Sequence, residues 1–212
     1  MKKAFLISGL LLIVSCKKEN DKKTTKNSFL SDSLNLKKQA DSLQPKKINS
    51  IDEIKKEYSL VNSKLIAKKL DSVSFNYECE ERSGNVVYYS ENGILKVIKH
   101  FTADSHFSST ENYFVNENKP YFIFKDETVW SFDGGTPEKP ETKDDIKENR
   151  YYYVNSTLVN CRVKTFTIRS KNNSKPENLS DGESKNCSDI ELQKTFKQLL
   201  ENKDKKDKIN CL

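Results

Sequence analysis

Two imidazoles and a carboxylate, His100, Asp104 and His106, are the groups in this sequence best suited to hold a metal or move a proton. Imidazole titrates near neutral pH and ligates transition metals, and a carboxylate beside it can orient it or complete a ligand set. Set at a strand end and in a polar hairpin connection, the three act together only if the chain there folds them onto one point. Otherwise they are solvated side chains. No GxSxG, HExxH, Walker or dinucleotide-type glycine pattern accompanies them, and six glycines leave little room for a phosphate-cradling loop. The chain therefore reads as non-enzymatic, with no catalytic residue, no cofactor and no metal, and with His100, Asp104 and His106 as its one enzymatic alternative.

Sulfur is the second chemical resource. Cys79, Cys161, Cys187 and Cys211 form an even set apart from Cys16, and in an exported chain such a set reads as two disulfides. Four cysteines allow three pairings. Cys187 and Cys211 flank the last helical segment, which favours joining them across it and leaves Cys79–Cys161 to join strands. Without a CxxC pair or a histidine close by, the four do not resemble a zinc site.

The elements that carry these groups follow from periodicity. Ser50-Ile51-Asp52-Glu53 has the Ser-x-x-Glu form of a capping box, and Ile51, Ile54, Tyr58, Val61 and Leu65 then recur at helical spacing, which predicts a helix to about Leu70. Val73, Phe75, Tyr77 and Cys79 alternate with polar residues, so the period drops to that of a strand. Asn85–Tyr89 and Ile94–Ile98 flank Asn92-Gly93, a type I′ hairpin signal. Weaker versions run from Tyr113-Phe114-Val115-Asn116 to Tyr121–Phe124 and from Tyr152-Tyr153-Val154-Asn155 to Leu158-Val159, the latter extended by Arg162–Ile168. Trp130 and Phe132 predict a short strand, Gly134–Glu148 a polar loop, and Asn172–Cys187 another. Ser188-Asp189-Ile190-Glu191 predicts a second capping box opening a helix with Leu192, Phe196, Leu199 and Leu200 on one side.

The fold class is thus α+β: an antiparallel β-meander of hairpins with an N-terminal and a C-terminal helix packed on one face. Adjacent aromatics on a strand point to opposite faces. With one face under the helices, the other is expected to be a partly wet aromatic platform of Tyr89, Tyr113, Tyr121, Trp130 and Tyr152, suited to a protein or glycan partner. The competing reading is that these rings only stabilise the sheet through cross-strand pairs.

The chain has 212 residues, 34% hydrophobic and 32% charged, with a net charge of +6. That length holds one domain with appendages. The positive balance is local: residues 1–15 carry two lysines, and residues 17–49 carry nine lysines against four acids, which leaves residues 50–212 at a net −1. A near-neutral folded part disfavours nucleic acid as a partner. Residues 17–49, rich in Lys, Ser, Asn and Asp without periodicity, read as a disordered tether able to rest on anionic head groups.

Met1-Lys2-Lys3 is followed by an apolar run from Ala4 to Val14, too short to span a bilayer, and then by Leu12-Ile13-Val14-Ser15-Cys16. This ending resembles the lipobox of bacterial lipoproteins. The resemblance implies a signal peptide over 1–15, cleavage before Cys16, and a diacylglyceryl group with further acylation on that cysteine, enough chains to make membrane release slow. Lys17, in place of the aspartate of an inner-membrane retention signal, implies the outer membrane, with its periplasmic and outer faces both open. The domain plan is then a leader (1–15), a lipidated cysteine and tether (16–49), and a globular domain (50–212). Asp32-Ser33-Leu34, Asp41-Ser42-Leu43 and Asp71-Ser72-Val73 are similar to the Asp-Ser-aliphatic acceptor of Bacteroidetes O-glycosylation, which would make Ser33, Ser42 and Ser72 acceptor sites.

The three aromatic hairpins, over roughly 85–169, resemble the tyrosine-rich Y-[YF]-x-[ND]-G-x-L hairpins of small Bacteroidetes lipoproteins and, more distantly, MORN-like repeat proteins. Only the first retains its glycine, at Gly93. Together these features lead to the expectation of a lipid-anchored envelope protein with a binding or accessory domain, its partner an envelope protein or a glycan. An inhibitor of a host or competitor hydrolase, using a protruding loop such as Gly134–Glu148, is the alternative.

Overall fold

A computed structural model of the chain describes residues 47–172, 176, 179–184 and 187–204, all within the compact unit Pro45–Leu212. In order they form α1 (Ile51–Ile66), β1 (Asp71–Cys79), β2 (Arg82–Glu91), β3 (Ile94–Asp104), β4 (Phe107–Asn116), β5 (Lys119–Thr136), β6 (Lys139–Val154), β7 (Thr157–Arg169), β8 (Gly182–Glu183) and α2 (Ile190–Asn202). The strands make one antiparallel sheet in sequence order, a meander as expected.

Three hairpins repeat one design. Each turns through two residues at positive φ: Asn92 (51°) and Gly93 (77°), Glu117 (51°) and Asn118 (57°), Asn155 (49°) and Ser156 (65°). Positive φ at both central residues is what a type I′ turn demands. Each returning strand then carries one extra residue at the same place, three positions past the turn. Lys96, Tyr121 and Val159 sit at register shifts opposite Tyr89/Ser90, Phe114/Val115 and Tyr152/Tyr153. Such a bulge resets the alternation of side chains, so that Leu95 and Ile98 can join the same cluster. The degraded repeats of the sequence are therefore structurally equivalent, with Asn, Glu and Ser standing where glycine would be easier.

Both faces of the sheet are apolar, and each has its own helix. Tyr113, Ile123, Tyr151 and Tyr153 face α2, whose Leu192, Phe196 and Leu199 complete that cluster. Their chain neighbours Phe114, Phe122 and Tyr152 face α1, beneath Ile54 and Val61. The expectation of two helices on one face is corrected: aromatic doublets put rings on both sides, and only a helix on each side removes both sets from water. Fully burying a side chain of this size contributes about 1.5–3 kcal/mol. Polar atoms fix the docking. Tyr88 Oη donates to the Leu199 carbonyl (2.7 Å) and Tyr153 Oη to Asp189 Oδ2 (3.0 Å). On the other face the Tyr58 ring meets Phe114 and Phe122 edge-on at 4.8 and 5.0 Å.

The first capping box forms by half: the Glu53 amide donates to Ser50 Oγ (3.3 Å), whereas Glu53 Oε2 accepts from the Asn49 amide (2.7 Å), one residue before the Ser50 amide expected. The second does not. Asp189 is the N-cap of α2 and makes no side-chain cap bond, because its carboxylate is taken by Tyr153 and by Gln193 Nε2 (3.2 Å). Ile48 is buried with the α1 cluster, so the packed body begins slightly before Ser50.

The largest departure is Gly134–Glu148, expected as a loop and found in β-structure. β5 has 18 residues and β6 has 16, against 9 to 11 in β1–β4. β4 pairs with β5 only as far as Val129, so Trp130–Thr136 and its β6 partner extend past the neighbouring strand by roughly 20 Å. Among the described residues, no helix covers this arm. Lacking a buried side, its strands carry polar residues on both faces, and the alternation that reveals a strand in sequence is missing.

Candidate functional site

His100, Asp104 and His106 do not converge. His100 and Asp104 sit four residues apart on β3, about 13 Å along a strand. Asp104 pairs with Arg82 at the sheet end (4.0 Å). His106, in the β3–β4 turn, stacks on Trp130 with ring centroids 4.0 Å apart, while Trp130 Nε1 donates to the Ser105 carbonyl (3.1 Å). This turn is pinned to β5 by an indole. Among the described residues, no group of three or more His, Cys, Asp or Glu side chains is placed to hold a metal.

His100 instead belongs to a buried chain of hydrogen bonds on the α2 side, which contradicts its reading as a solvated side chain. The Glu111 carboxylate accepts from His100 Nδ1 (3.3 Å) and from Tyr113 Oη (2.6 Å). A carboxylate only accepts, so Nδ1 of His100 carries a proton, and Nε2 shares a hydrogen bond of 2.6 Å with Tyr77 Oη. The Tyr77 ring lies across Gly84, where a Cβ would overlap it. Burial works to raise the Glu111 pKa, but the hydrogen bonds from His100 and Tyr113 and the charges of His100 and Lys125 outweigh it and hold the carboxyl below its usual value. Tyr113 is pushed the other way, first by burial and then by the charge of Glu111. Geometrically this is a donor relay ending on a carboxylate. Its members are closed off, with Tyr77, His100 and Glu111 only 4%, 6% and 8% exposed, so the relay serves to fasten β1, β3 and β4 together.

The five rings expected to form a platform are not on one exposed surface. Tyr113 lies under α2, and Tyr121 and Tyr152 lie in the α1 cluster. Tyr89 is partly buried against that same cluster, and Trp130 is engaged with the β3–β4 turn. The Tyr121 hydroxyl, near Glu57 and Tyr58, is buried without a hydrogen-bond partner among the described residues. The platform reading fails because the second helix covers what was taken as the open face.

Among the described residues, one concavity of about 410 Å³ runs along β6 and β7 over Ile146 and Phe166, and two others lie beside α1 and at the turns. The smaller, about 240 Å³, opens between α1 and the sheet over Tyr58, Phe122, Phe124 and Tyr152, with Arg150 at its edge. That guanidinium lies over the Phe124 ring and is held by Glu148 (2.9 Å) and Asp181 (3.0 Å), so its charge is already matched. The larger, about 410 Å³, lies at the turn end of the sheet, between the β4–β5 and β6–β7 turns, with Lys47 and Ile48 as its third wall. Neighbouring hairpins are two strand spacings apart, about 10 Å, which sets its width. Asn116, Glu117, Lys119, Asn155 and Ser156 supply polar groups, and Pro120 and Tyr121 supply apolar surface. The sequence reading missed these turn residues. The repeated hairpin phrase located the turns, but nothing in it showed that two of them would face each other across a cavity.

The disulfide is Cys161–Cys187, tying β7 to the segment before α2, which corrects the favoured Cys79–Cys161 and Cys187–Cys211 pairs. Strand β7 runs its Cys161 into the α2 cluster, beside the entry to that helix. Cys79 is also disulfide-bonded. Ser72 is exposed on β1 opposite Tyr89. Cys16, the leader and tether, Ser33, Ser42 and Cys211 lie outside the described residues. No helix among the described residues is long and apolar enough to cross a membrane. Comparison with known proteins finds no matching family model, curated protein or solved structure.

Proposed function

We propose that the chain is an envelope lipoprotein, anchored in the outer membrane through lipid on Cys16, whose folded part is a non-enzymatic binding or accessory module for an envelope protein or a glycan. The observation that carries this reading is the pairing of an apolar leader ending in Leu12-Ile13-Val14-Ser15-Cys16 with a domain in which Cys79, Cys161 and Cys187 are disulfide-bonded. Disulfides persist in the oxidising spaces to which such leaders direct a chain. The closed relay around His100 supports binding over catalysis, since no reactant reaches its carboxylate. Labelled palmitate supplied to cells making the chain tests the anchor: label retained by the native sequence and lost on Cys16→Ser supports it, and an unlabelled native chain removes it.

The β5–β6 arm favours a second reading. It projects beyond β4 and carries exposed Phe132 near its tip, a shape able to enter the cleft of a host or competitor hydrolase. Shortening the arm between Phe132 and Lys143 would abolish inhibition under that reading and leave ligand binding elsewhere unchanged.

A further inference from the structure

We propose that the C-terminal segment 205–212 is a strap laid along the edge strand β1 and clasped there by a disulfide between Cys79 and Cys211. The proposal rests on the anchor reading in one respect, since lipid on Cys16 takes that sulfur out of the pairing.

The first argument is the use of sulfur. The chain has five cysteines. Cys161 and Cys187 bond to each other, and Cys79 is also disulfide-bonded, so its partner is Cys16 or Cys211. With Cys16 acylated, Cys211 remains. The bond forms by thiol–disulfide exchange: a disulfide oxidant of the export compartment takes up the two electrons and two protons that the Cys79 and Cys211 thiols give up, and leaves as its dithiol.

The second argument is reach. Helix α2 crosses the sheet towards β1. Tyr153 on β6 donates to Asp189 at its start, Tyr113 on β4 packs against Phe196 in its middle (ring centroids 5.4 Å apart), and Tyr88 on β2 donates to the Leu199 carbonyl near its end (2.7 Å). Asp204, just beyond, is still close enough for its charge to act on Tyr88. Tyr88 pairs with Val73, and Cys79 lies six residues further along β1, about 20 Å. The seven residues from Asp204 to Cys211 span at most about 25 Å. The clasp therefore closes only if the segment runs nearly extended alongside β1, in the same direction.

The third argument is fit. Strand β1 is the terminal strand on its side of the sheet. It has nine residues, with no Lys, Arg or Pro among them and no register shift against β2. An edge of that kind templates pairing with another chain unless something covers it. Phe75 and Cys79 are only partly buried on the α2 side, next to buried Tyr77. Alternate residues of an extended segment share a side, so turning Cys211 towards Cys79 turns Ile209 towards Tyr77. The charges match as well. Glu78, Glu80 and Glu81 surround Cys79, and the segment brings Lys205, Lys206 and Lys208 against the single acid Asp207. Arg82, the one base nearby on β2, is already paired with Asp104 (4.0 Å).

The test takes the full chain from cell membranes, blocks free thiols, and digests it with trypsin without reduction. Peptide 70–82, which holds Cys79, is expected to be joined to peptide 209–212, which holds Cys211. Cys79 joined to Cys16, to a second copy of itself or to any other cysteine overturns the proposal, and so does Cys79 recovered as a blocked thiol. In the Cys79→Ser/Cys211→Ser chain, hydrogen exchange over 71–79 is expected to rise about 10-fold, with 107–116 unchanged, because only the edge is bared. Unaltered exchange over 71–79, or an equal rise in both strands, contradicts a strap on β1. Palmitate labelling reads the anchor separately: an unlabelled chain with the 70–82 to 209–212 bridge loses the lipid and keeps the strap, and a labelled chain without the bridge loses the strap and keeps the lipid.

Discussion

The hydroxyl of Tyr77 reaches His100 Nε2 at 2.6 Å by laying its ring across Gly84 on the strand between them. The glycine on β2 is therefore a packing requirement. Gly84→Ala is expected to destabilise the fold by about 1–3 kcal/mol, the range for overfilling a packed site. Tyr77→Phe leaves a buried ring nitrogen unpaired and costs a similar amount. Urea titration of both variants checks this. If Gly84→Ala is neutral, the ring can move aside and the network is not fixed by that contact.

Glu111 gives the fold an acid dependence. Its pKa is lowered in the folded state: burial opposes this, and the hydrogen bonds from His100 and Tyr113 prevail. Because the folded protein binds this proton more weakly than the unfolded chain, the contribution is complete above the unfolded carboxyl pKa of about 4.3 and fades as pH falls through the lower folded value. Stability measured from pH 6 down to 3 should drop in wild type, and Glu111→Gln should be less stable at pH 6 with a shallower drop.

Among the described residues, the Tyr121 hydroxyl is buried with no hydrogen-bond partner. Tyr121→Phe removes that polar atom while keeping the ring, and is expected to raise stability by about 1 kcal/mol. A loss of stability in thermal unfolding would show that the hydroxyl has a partner in solution.

Cys161–Cys187 closes a sequence separation of 26 residues, worth about 3 kcal/mol by loop closure. The bridge lies just ahead of α2, so Cys187→Ser should both lower the melting temperature and speed hydrogen exchange in 190–202 more than in 51–66. Uniform loosening of both helices would contradict a local role.

What the sequence disclosed follows from where water is excluded. The α1 stripe, the Ser50 cap and the three hairpin phrases were legible because each alternates between a buried and a wet side. The strands of the arm were not, since Thr142–Lys147 meets solvent on both faces. The aromatic doublets were read as one covered face and one open face. The same residues, Tyr113 with Phe114 and Tyr151 with Tyr152, equally fit two covered faces, and only the placement of α2 separates these. The cysteine partners needed the path of β7 past α2, which no local pattern contains. The cavity depends on two turns being neighbours, a consequence of meander order and equal bulges, and the residues that line it look like ordinary turn residues one hairpin at a time.

Intact-mass analysis of the mature protein recovered from cell membranes tests the anchoring claim most directly. The account predicts a polypeptide starting at Cys16 and heavier than its sequence by a diacylglyceryl group plus acyl chain. A chain that retains Met1, or starts at Cys16 with no added lipid mass, would contradict it.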